Sequence, residues 1–389
     1  MLKKCILGLL AIVLSVALGL TGYIYSKKVE RKADSVAPIS TTHNPRYRDK
    51  VLSAEQWLSS IYQAHLLPSL SVSIGLRGEL VWEGVIGYSD LRTDTLASHT
   101  SEYRIGSVSK SITAVAAMRM HENNSLPLDS HFDDYVNDYP PENAGFTVKH
   151  LLAHQGGVRH YVSDYSEFFS AKEYPTLREA AAIVEDDALL FTPGTGFHYS
   201  TYGYTLLSLA METAYSAPFE TLMHQEVFGP IGMIHTHFDK VNETPDENRA
   251  TPYLHVGNAL YESPKVDLSY KHAGGGYVST PTDLVHFGHA LLRDTLLREE
   301  TKTLMWTPLP LENGEMNPEY YALGFRVGQD ETAGFVHHRG ISVGGHAVLL
   351  IYPELEVVVA LATNVTPADE HFDIFEEAKR VMSLFSDKN

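Results

Sequence analysis

Two apolar runs near the carboxyl end constrain this chain more than any other feature. Gly345-His346-Ala347-Val348-Leu349-Leu350-Ile351-Tyr352 and Val357-Val358-Val359-Ala360-Leu361-Ala362 flank the turn-forming Pro353-Glu354-Leu355-Glu356. Short aliphatic runs on either side of a proline turn predict an antiparallel hairpin of buried strands. Such a hairpin needs neighbouring strands and a cover on each face. The chain supplies both. Leu70-Ser71-Val72-Ser73-Ile74-Gly75-Leu76 alternates like a strand, Arg77-Gly78-Glu79 turns, and Leu80 to Tyr88 returns as its partner. Amphipathic stretches over Val51–Ala64 and Glu370–Phe385 predict helices that pack on the sheet. Gly334-Phe335-Val336-His337 begins a further strand, and helical patterns dominate from Ile112 to about Tyr270. The expected fold is α/β, an antiparallel sheet flanked by helices with an inserted, mostly helical region and a cleft between them.

Composition narrows the function classes. At 389 residues, 44% hydrophobic and 20% charged, the chain can bury a full globular core. A formal net charge of -18 repels phosphate backbones and argues against nucleic acid as a partner. The single cysteine, Cys5, rules out an internal disulfide framework without fixing the redox compartment.

The amino terminus carries a separate signal. Lys3 and Lys4 precede an apolar run from Cys5 to Tyr25, and Lys27, Lys28, Arg31 and Lys32 follow. A span of about 20 apolar residues crosses a bilayer as a helix. Residues 1–28 are therefore expected to be a membrane anchor, with a signal peptide cut after Ala17-Leu18-Gly19 as the alternative. The run continues past Gly19, which favours the anchor. Basic residues flank both ends and leave the orientation open. Residues 29–50 are polar, contain Pro38 and Pro45, and are expected to be a tether. The catalytic domain should then occupy residues 51–389, extracytoplasmic on its anchor, or secreted if the segment is cleaved.

Ser107-Val108-Ser109-Lys110 is the one S-x-x-K in the chain, and Ile112, Val115, Ala116 and Met120 after it predict a buried helix. Serine and lysine three apart share a helical face. A serine at a helix start lies near free backbone N–H groups and the positive end of the dipole. A deprotonated amine close by could take its proton, so Ser107 is a candidate nucleophile and Lys110 its base. The motif alone is short enough to arise by chance. Tyr199, at a turn-to-helix junction, either packs or faces a cleft, where a neighbouring lysine could hold it as phenolate.

Other patterns lead elsewhere. His150 and His154 have i,i+4 spacing, but Leu151 stands where a zincin needs glutamate; capping or core packing is the expected role, with no metal. Gly274-Gly275-Gly276 predicts a close backbone approach, and no nucleotide-binding pattern accompanies it, so no cofactor is expected. Pro281 starts a helix through Leu292, with Thr282 or Asp283 available as N-cap. Residues Asp239 to Asp267 read as polar and irregular. Gly340-Ile341-Ser342-Val343-Gly344 matches the G-x-S-x-G elbow, but a strand follows it instead of a helix.

Three pieces nevertheless occur in order: Ser107-x-x-Lys110, Tyr199-Ser200-Thr201 and His338-Arg339-Gly340. With Leu151-Leu152-x-His154-x-x-Gly157 and the glycine triplet, they resemble the serine β-lactamase and penicillin-binding superfamily, in its class C-like branch. Arg159-His160-Tyr161, Tyr202-Gly203-Tyr204, Ser269-Tyr270-Lys271-His272 and Trp306-Thr307-Pro308 are similar to the mitochondrial serine β-lactamase-like branch of animals. The resemblance implies that Ser107 is acylated with help from Lys110, and that Tyr199 passes the proton to the leaving group. It implies an oxyanion hole from the N–H groups of Ser107 and Ile341. It places Thr201 and Gly340 at the substrate, and His338 where the family's lysine shapes the tyrosine's field and a carboxylate site. Thr201 replaces an asparagine and lacks its amide fork. A histidine is mostly neutral near pH 7 where lysine is charged. The expected activity is that of a membrane-tethered serine hydrolase acting on a small peptide or ester, with poor turnover of β-lactam antibiotics. A D-alanyl-D-alanine carboxypeptidase or β-lactamase is the enzymatic alternative, and a silent binding or membrane-organising protein is the non-enzymatic one.

Overall fold

The protein is described by a computed structural model covering residues 26–31, 36–140, 145–240, 247–367 and 372–386. Its main sheet is antiparallel. In chain order the strands are β1 (Ile39–Thr42), β2 (Ser69–Leu76), β3 (Glu79–Asp90), β4 (Arg326–Gln329), β5 (Gly334–Ser342), β6 (Gly345–Tyr352) and β7 (Val357–Thr363). In space they lie β4-β5-β6-β7-β2-β3-β1, with Thr95–Leu96 added to β3. The carboxyl-terminal hairpin closes against the amino-terminal one through β7 and β2, where Val357 faces Leu76 and Ala362 faces Ser71.

The apolar runs are continuous because both sheet faces are covered. Side chains alternate along a strand. On β6, Val348 and Leu350 pack with Val51, Leu58, Val381 and Phe385 of the helices Arg48–Ala64 and Ile374–Phe385. Ala347, Leu349 and Ile351 face the other way, toward Leu284 and Val285 of the helix Pro281–Leu292. The two outer helices are joined by the Trp57 indole, which donates to Glu377 at 2.8 Å.

The inserted region holds the helices Val108–Glu122, Val148–Leu152, Leu177–Ala181, Thr201–Tyr215 and Phe219–Met223. A three-stranded sheet of Tyr103–Arg104, Tyr277–Ser279 and His237–Phe238 ties the approach to Ser107 to the segment after the glycine triplet. Asp239 accepts from the buried Arg104 at 2.5 Å and from Arg249 at 2.6 Å, locking that sheet to its surroundings.

Three expectations need correction, and the expected capping and packing roles of the two histidines are seen. The stretch 29–50 is not a free tether. Val29 pairs with Leu260, and β1 lines the edge of β3, with Ile39 opposite Val85 and Thr42 opposite Trp82. The Trp82 indole donates to Ser40 at 2.9 Å. Ile-Ser-Thr-Thr carries little apolar signal, but its β-branched residues satisfy an exposed row of backbone groups on β3. Within 239–267, Tyr253–Val256 and Ala259–Glu262 form a hairpin around Gly257. The N-cap of Pro281–Leu292 is Thr280, whose hydroxyl accepts from Asp283 N–H and whose neighbour Pro281 takes the first helical position. His150 and His154 do not share a helix, because Val148–Leu152 ends before His154, which has φ +59°. His150 accepts from Thr147 N–H as a cap, and His154 is core-packed. The apolar run Cys5–Tyr25 lies outside the described residues; among those described, no helix is long and apolar enough to cross a membrane.

Candidate active site

Ser107 occupies the N-cap position of Val108–Glu122 but makes no side-chain cap, so its hydroxyl is free to face the cleft. The helix behind it is almost entirely buried, and its own hydroxyls are spent on neighbouring carbonyls: Ser111 donates to Gly324 O and Thr113 to Ala273 O. That packing fixes the rotation of the helix and therefore the place of Lys110. Ser107 N–H donates to no backbone carbonyl among the described residues.

Lys110 is fully buried. Its Nζ lies 2.5 Å from the Gly274 carbonyl, 3.1 Å from Thr201 Oγ1 and 3.1 Å from Ser107 Oγ. No carboxylate pairs with it among the described residues. Burial, reinforced by the positive charges of Lys271 and Arg326, pushes its pKa well below the usual lysine value. A neutral amine has two N–H bonds and one lone pair. With the N–H groups on Gly274 O and Thr201 Oγ1, the lone pair is left for the Ser107 hydroxyl.

Two glycines bring the oxyanion side together. Gly106 has φ +49°, and a Cβ there would meet the Ile341 backbone at 2.7 Å. A Cβ on Gly340 would lie 1.9 Å from Ile105 O and 2.7 Å from Ser107 N. Only at glycine can β5 approach the nucleophile so closely. Ser107 and Ile341 thus stand side by side on one wall. Gly274 is equally tight, its notional Cβ falling 2.9 Å from Thr201 Cγ2, which is the close approach expected of the triplet.

Tyr199 lies against this pair. Its ring centroid is 4.8 Å from Lys110 Nζ and 5.1 Å from the Arg326 guanidinium carbon, and its hydroxyl lies near enough to Ser107 and Arg326 for both to act on its titration. Burial raises its pKa to about 12, although Arg326 and Ser107 pull it down. It therefore rests as a phenol near neutral pH, not as the phenolate considered from sequence. His154 holds the segment in place: its ring packs on Tyr199 at 4.3 Å and its Nδ1 accepts from Ser200 N–H at 3.2 Å. Ser200 caps Thr201–Tyr215 through Gly203 N–H.

His338 departs from expectation. It is fully buried and does not line the cleft. Its Nδ1 faces Arg339 O at 2.7 Å and so must carry the proton, leaving Nε2 to accept from Tyr321 OH at 3.0 Å and from Arg326 at 3.4 Å. Burial and the charge of Arg326 hold its pKa well below the usual histidine value. A neutral side chain sealed behind Tyr321 cannot bind a substrate carboxylate. The cation beside Tyr199 is Arg326, anchored by Glu319. The loss of a positive charge inferred from a histidine in the lysine position is thus made good from another strand.

The cleft has a volume of about 710 Å³. Ser107, Tyr199, Thr201 and Ile341 line it, together with His160, Lys271, Arg326, Arg339 and the aromatic residues Tyr161, Tyr165, Phe168 and Phe169. His160 Nδ1 accepts from Thr201 N–H at 3.2 Å, and burial with nearby Lys110 lowers its pKa to about 3. Sequence reasoning missed Arg326; a lone arginine after the apolar Tyr321-Ala322-Leu323-Gly324-Phe325 was the available signal. Among the described residues, no three His, Cys, Asp or Glu side chains converge to hold a metal.

A family model described as Beta-lactamase matches residues 54–381. The mitochondrial serine beta-lactamase-like protein of Homo sapiens is 29% identical over 381 residues, covering 74% of this chain and 69% of that one. Penicillin-binding protein 4* of Bacillus subtilis is 24% identical over 289 residues, covering 71% and 63%. Among solved structures, the D-amino acid amidase of Ochrobactrum anthropi SV3 with D-phenylalanine aligns with a TM-score of 0.75 at 21% identity, over 86% of this chain and 98% of that one. The octameric penicillin-binding protein homologue of Pyrococcus abyssi gives 0.73 at 24%, over 86% and 77%. At those identities the two structures establish likeness of fold.

Proposed function

The chain belongs to the beta-lactamase family, and from that premise we propose a serine hydrolase that works through an acyl-enzyme at Ser107 on a peptide amide or an ester. The observation that carries this reading is the state of Lys110: buried, without a carboxylate partner, and 3.1 Å from the nucleophile. A lysine so placed gives up its proton far more readily than a free one and can serve as the base.

The steps follow from the contacts. Lys110 Nζ takes the Ser107 proton as Oγ attacks the carbonyl carbon. The oxyanion forms between the N–H groups of Ser107 and Ile341, which act most strongly in a site that excludes water. Tyr199, a phenol with its hydroxyl toward Ser107 and Arg326, hands its proton to the leaving nitrogen or oxygen and regains one from Lys110. Arg326 stabilises the transient phenolate. Water then repeats the sequence on the acyl-enzyme and releases the acid. Thr201 acts by accepting from Lys110 through its hydroxyl, and a threonine has no amide group to offer a β-lactam side chain.

A fluorophosphonate probe tests the core of the proposal. The wild-type chain should label and Ser107→Ala should not; equal labelling of both would remove Ser107 from the mechanism. Peptide amides and p-nitrophenyl esters should be turned over faster than nitrocefin. Arg326, a permanent cation in the cleft, favours D-alanyl-D-alanine carboxypeptidase or β-lactamase activity as the second reading, because both act beside a substrate carboxylate. Rapid nitrocefin hydrolysis would select it. The proposal includes attachment to a membrane through Cys5–Tyr25: the full chain should stay with membranes after an alkaline carbonate wash, and a chain lacking residues 1–25 should not.

A further inference from the structure

Lys271 is a second buried lysine in the cleft that the reaction does not use. It is 2% exposed, yet it lines the cavity with Ser107. Its Nζ sits 4.5 Å from the Phe168 ring centroid, 5.2 Å from that of Tyr270 and 5.3 Å from that of Tyr161. Among the described residues no carboxylate comes within salt-bridge distance of it. The acid that acts on it, Asp239, is already held by Arg104 and Arg249. No aspartate or glutamate lines the cleft among the described residues.

The position along β5 gives this lysine a side. His338, with Arg326 and Tyr199, stands midway along the strand. Val343, just past the strand's carboxyl end, belongs with Val266 and Leu268 to a small cluster on which Phe168 packs, and the Phe168 ring carries Lys271. Five residues separate His338 from Val343, at most roughly 16 Å of extended chain, and Gly340 meets Ser107 between them. If Tyr199 serves the leaving group, the Lys271 end receives the acyl group. Arg326 lies over Tyr199 and Tyr321 and shares no ring with Lys271.

We propose that Lys271, with Tyr161 and Phe168, forms an acyl-side subsite for a carboxylate borne on an apolar chain or ring. The assignment of side rests on the acyl-enzyme reading above; the anion site itself does not. Aromatic faces take the apolar part, and the ammonium supplies the charge that no protein carboxylate offsets. Burial, with the charge of Arg104 and against that of Asp239, lowers the Lys271 pKa to about 7, so an arriving carboxylate restores the full charge and binding takes up a proton. Lys110 and His160 also feel this charge, and Tyr161 and Tyr270 face it.

The test separates binding from catalysis. Calorimetry on full-length Ser107→Ala at pH 6.5 compares monomethyl glutarate with dimethyl glutarate. The monoanion should bind about tenfold tighter or more, as expected when one charge-assisted contact is gained. Lys271→Met should bring the two affinities together, and Lys271→Arg should keep the preference. Equal affinities in Ser107→Ala, or a preference that survives Lys271→Met, overturn the subsite whether or not Ser107 is ever acylated. A preference that disappears in an Arg326→Gln variant instead of Lys271→Met assigns the anion to the tyrosine side and also overturns it. In the competent enzyme, the kcat/KM ratio of the p-nitrophenyl half-ester of glutarate to its methyl diester reports the same quantity. Failure of fluorophosphonate labelling would refute the acyl-enzyme reading alone.

Discussion

Gly340→Ala is the perturbation that the geometry defines most sharply. The added methyl would lie 1.9 Å from Ile105 O and 2.7 Å from Ser107 N. Carbon atoms do not approach oxygen closer than about 3 Å, so β5 must withdraw from the nucleophile by at least about 1 Å. Ile105 and Ser107 are held by a buried helix and a paired strand and will not move instead. The Ile341 N–H then leaves the place where the oxyanion forms. Misplacing a catalytic group by about 1 Å, or losing one oxyanion donor, costs roughly 10²–10³ in kcat. The overpacking itself costs about 1–3 kcal/mol of stability. The oxyanion exists only in the transition state, so kcat should fall with little change in KM. Steady-state hydrolysis of a p-nitrophenyl ester measures both, and thermal unfolding confirms that the variant is folded. A folded Gly340→Ala protein that keeps kcat within about threefold of wild type would refute the backbone oxyanion hole.

Four further outcomes are expected. Lys110→Met should lower the acylation rate by about 10²–10⁴, the usual worth of a positioned general base; in the wild type, kcat/KM should fall as acid protonates Lys110. Because that pKa is depressed by folding, the unfolded chain binds more protons between the two values, so stability should rise with pH in that window and the slope should shrink in Lys110→Met. Arg326→Gln should slow acylation through Tyr199, shifting the basic limb of the pH–rate profile upward as the guanidinium's pull on the phenol is lost. His338→Lys, which restores the residue the family resemblance expects, should destabilise the fold by about 3–5 kcal/mol, read from denaturant unfolding, because it buries a second charge beside Arg326 and cannot accept from Tyr321. Deleting residues 1–47 should cost about 2–4 kcal/mol, since it strips β1 from β3 and orphans the Trp82 indole; no loss would mean that the segment is the tether its composition suggests.

The sequence alone determined the sheet, the helix behind Ser107 and the order of the three motif pieces. Those rest on short-range physics: side-chain alternation, the 3.6-residue period and the spacing of serine and lysine along one helical face. Continuous apolar runs such as Val357–Ala362 already required a sheet covered on both sides. The segment β1 escaped notice because its stability comes from the open edge of β3, which lies some forty residues away (Ile39 faces Val85). Thr280 was overlooked as N-cap because a proline at the first helical position moves the cap one residue earlier. The charge at the site was the deeper omission. His338 and Arg326 read from sequence as a substituted motif position and an unremarkable arginine, yet packing buries the first and aims the second at Tyr199. The pKa of Lys110 is likewise set by Lys271 and Arg326, which are 161 and 216 positions away along the chain. Local pattern fixes which elements form. Burial and the field at a side chain are sums over neighbours from the whole chain, and only the tertiary structure assembles them.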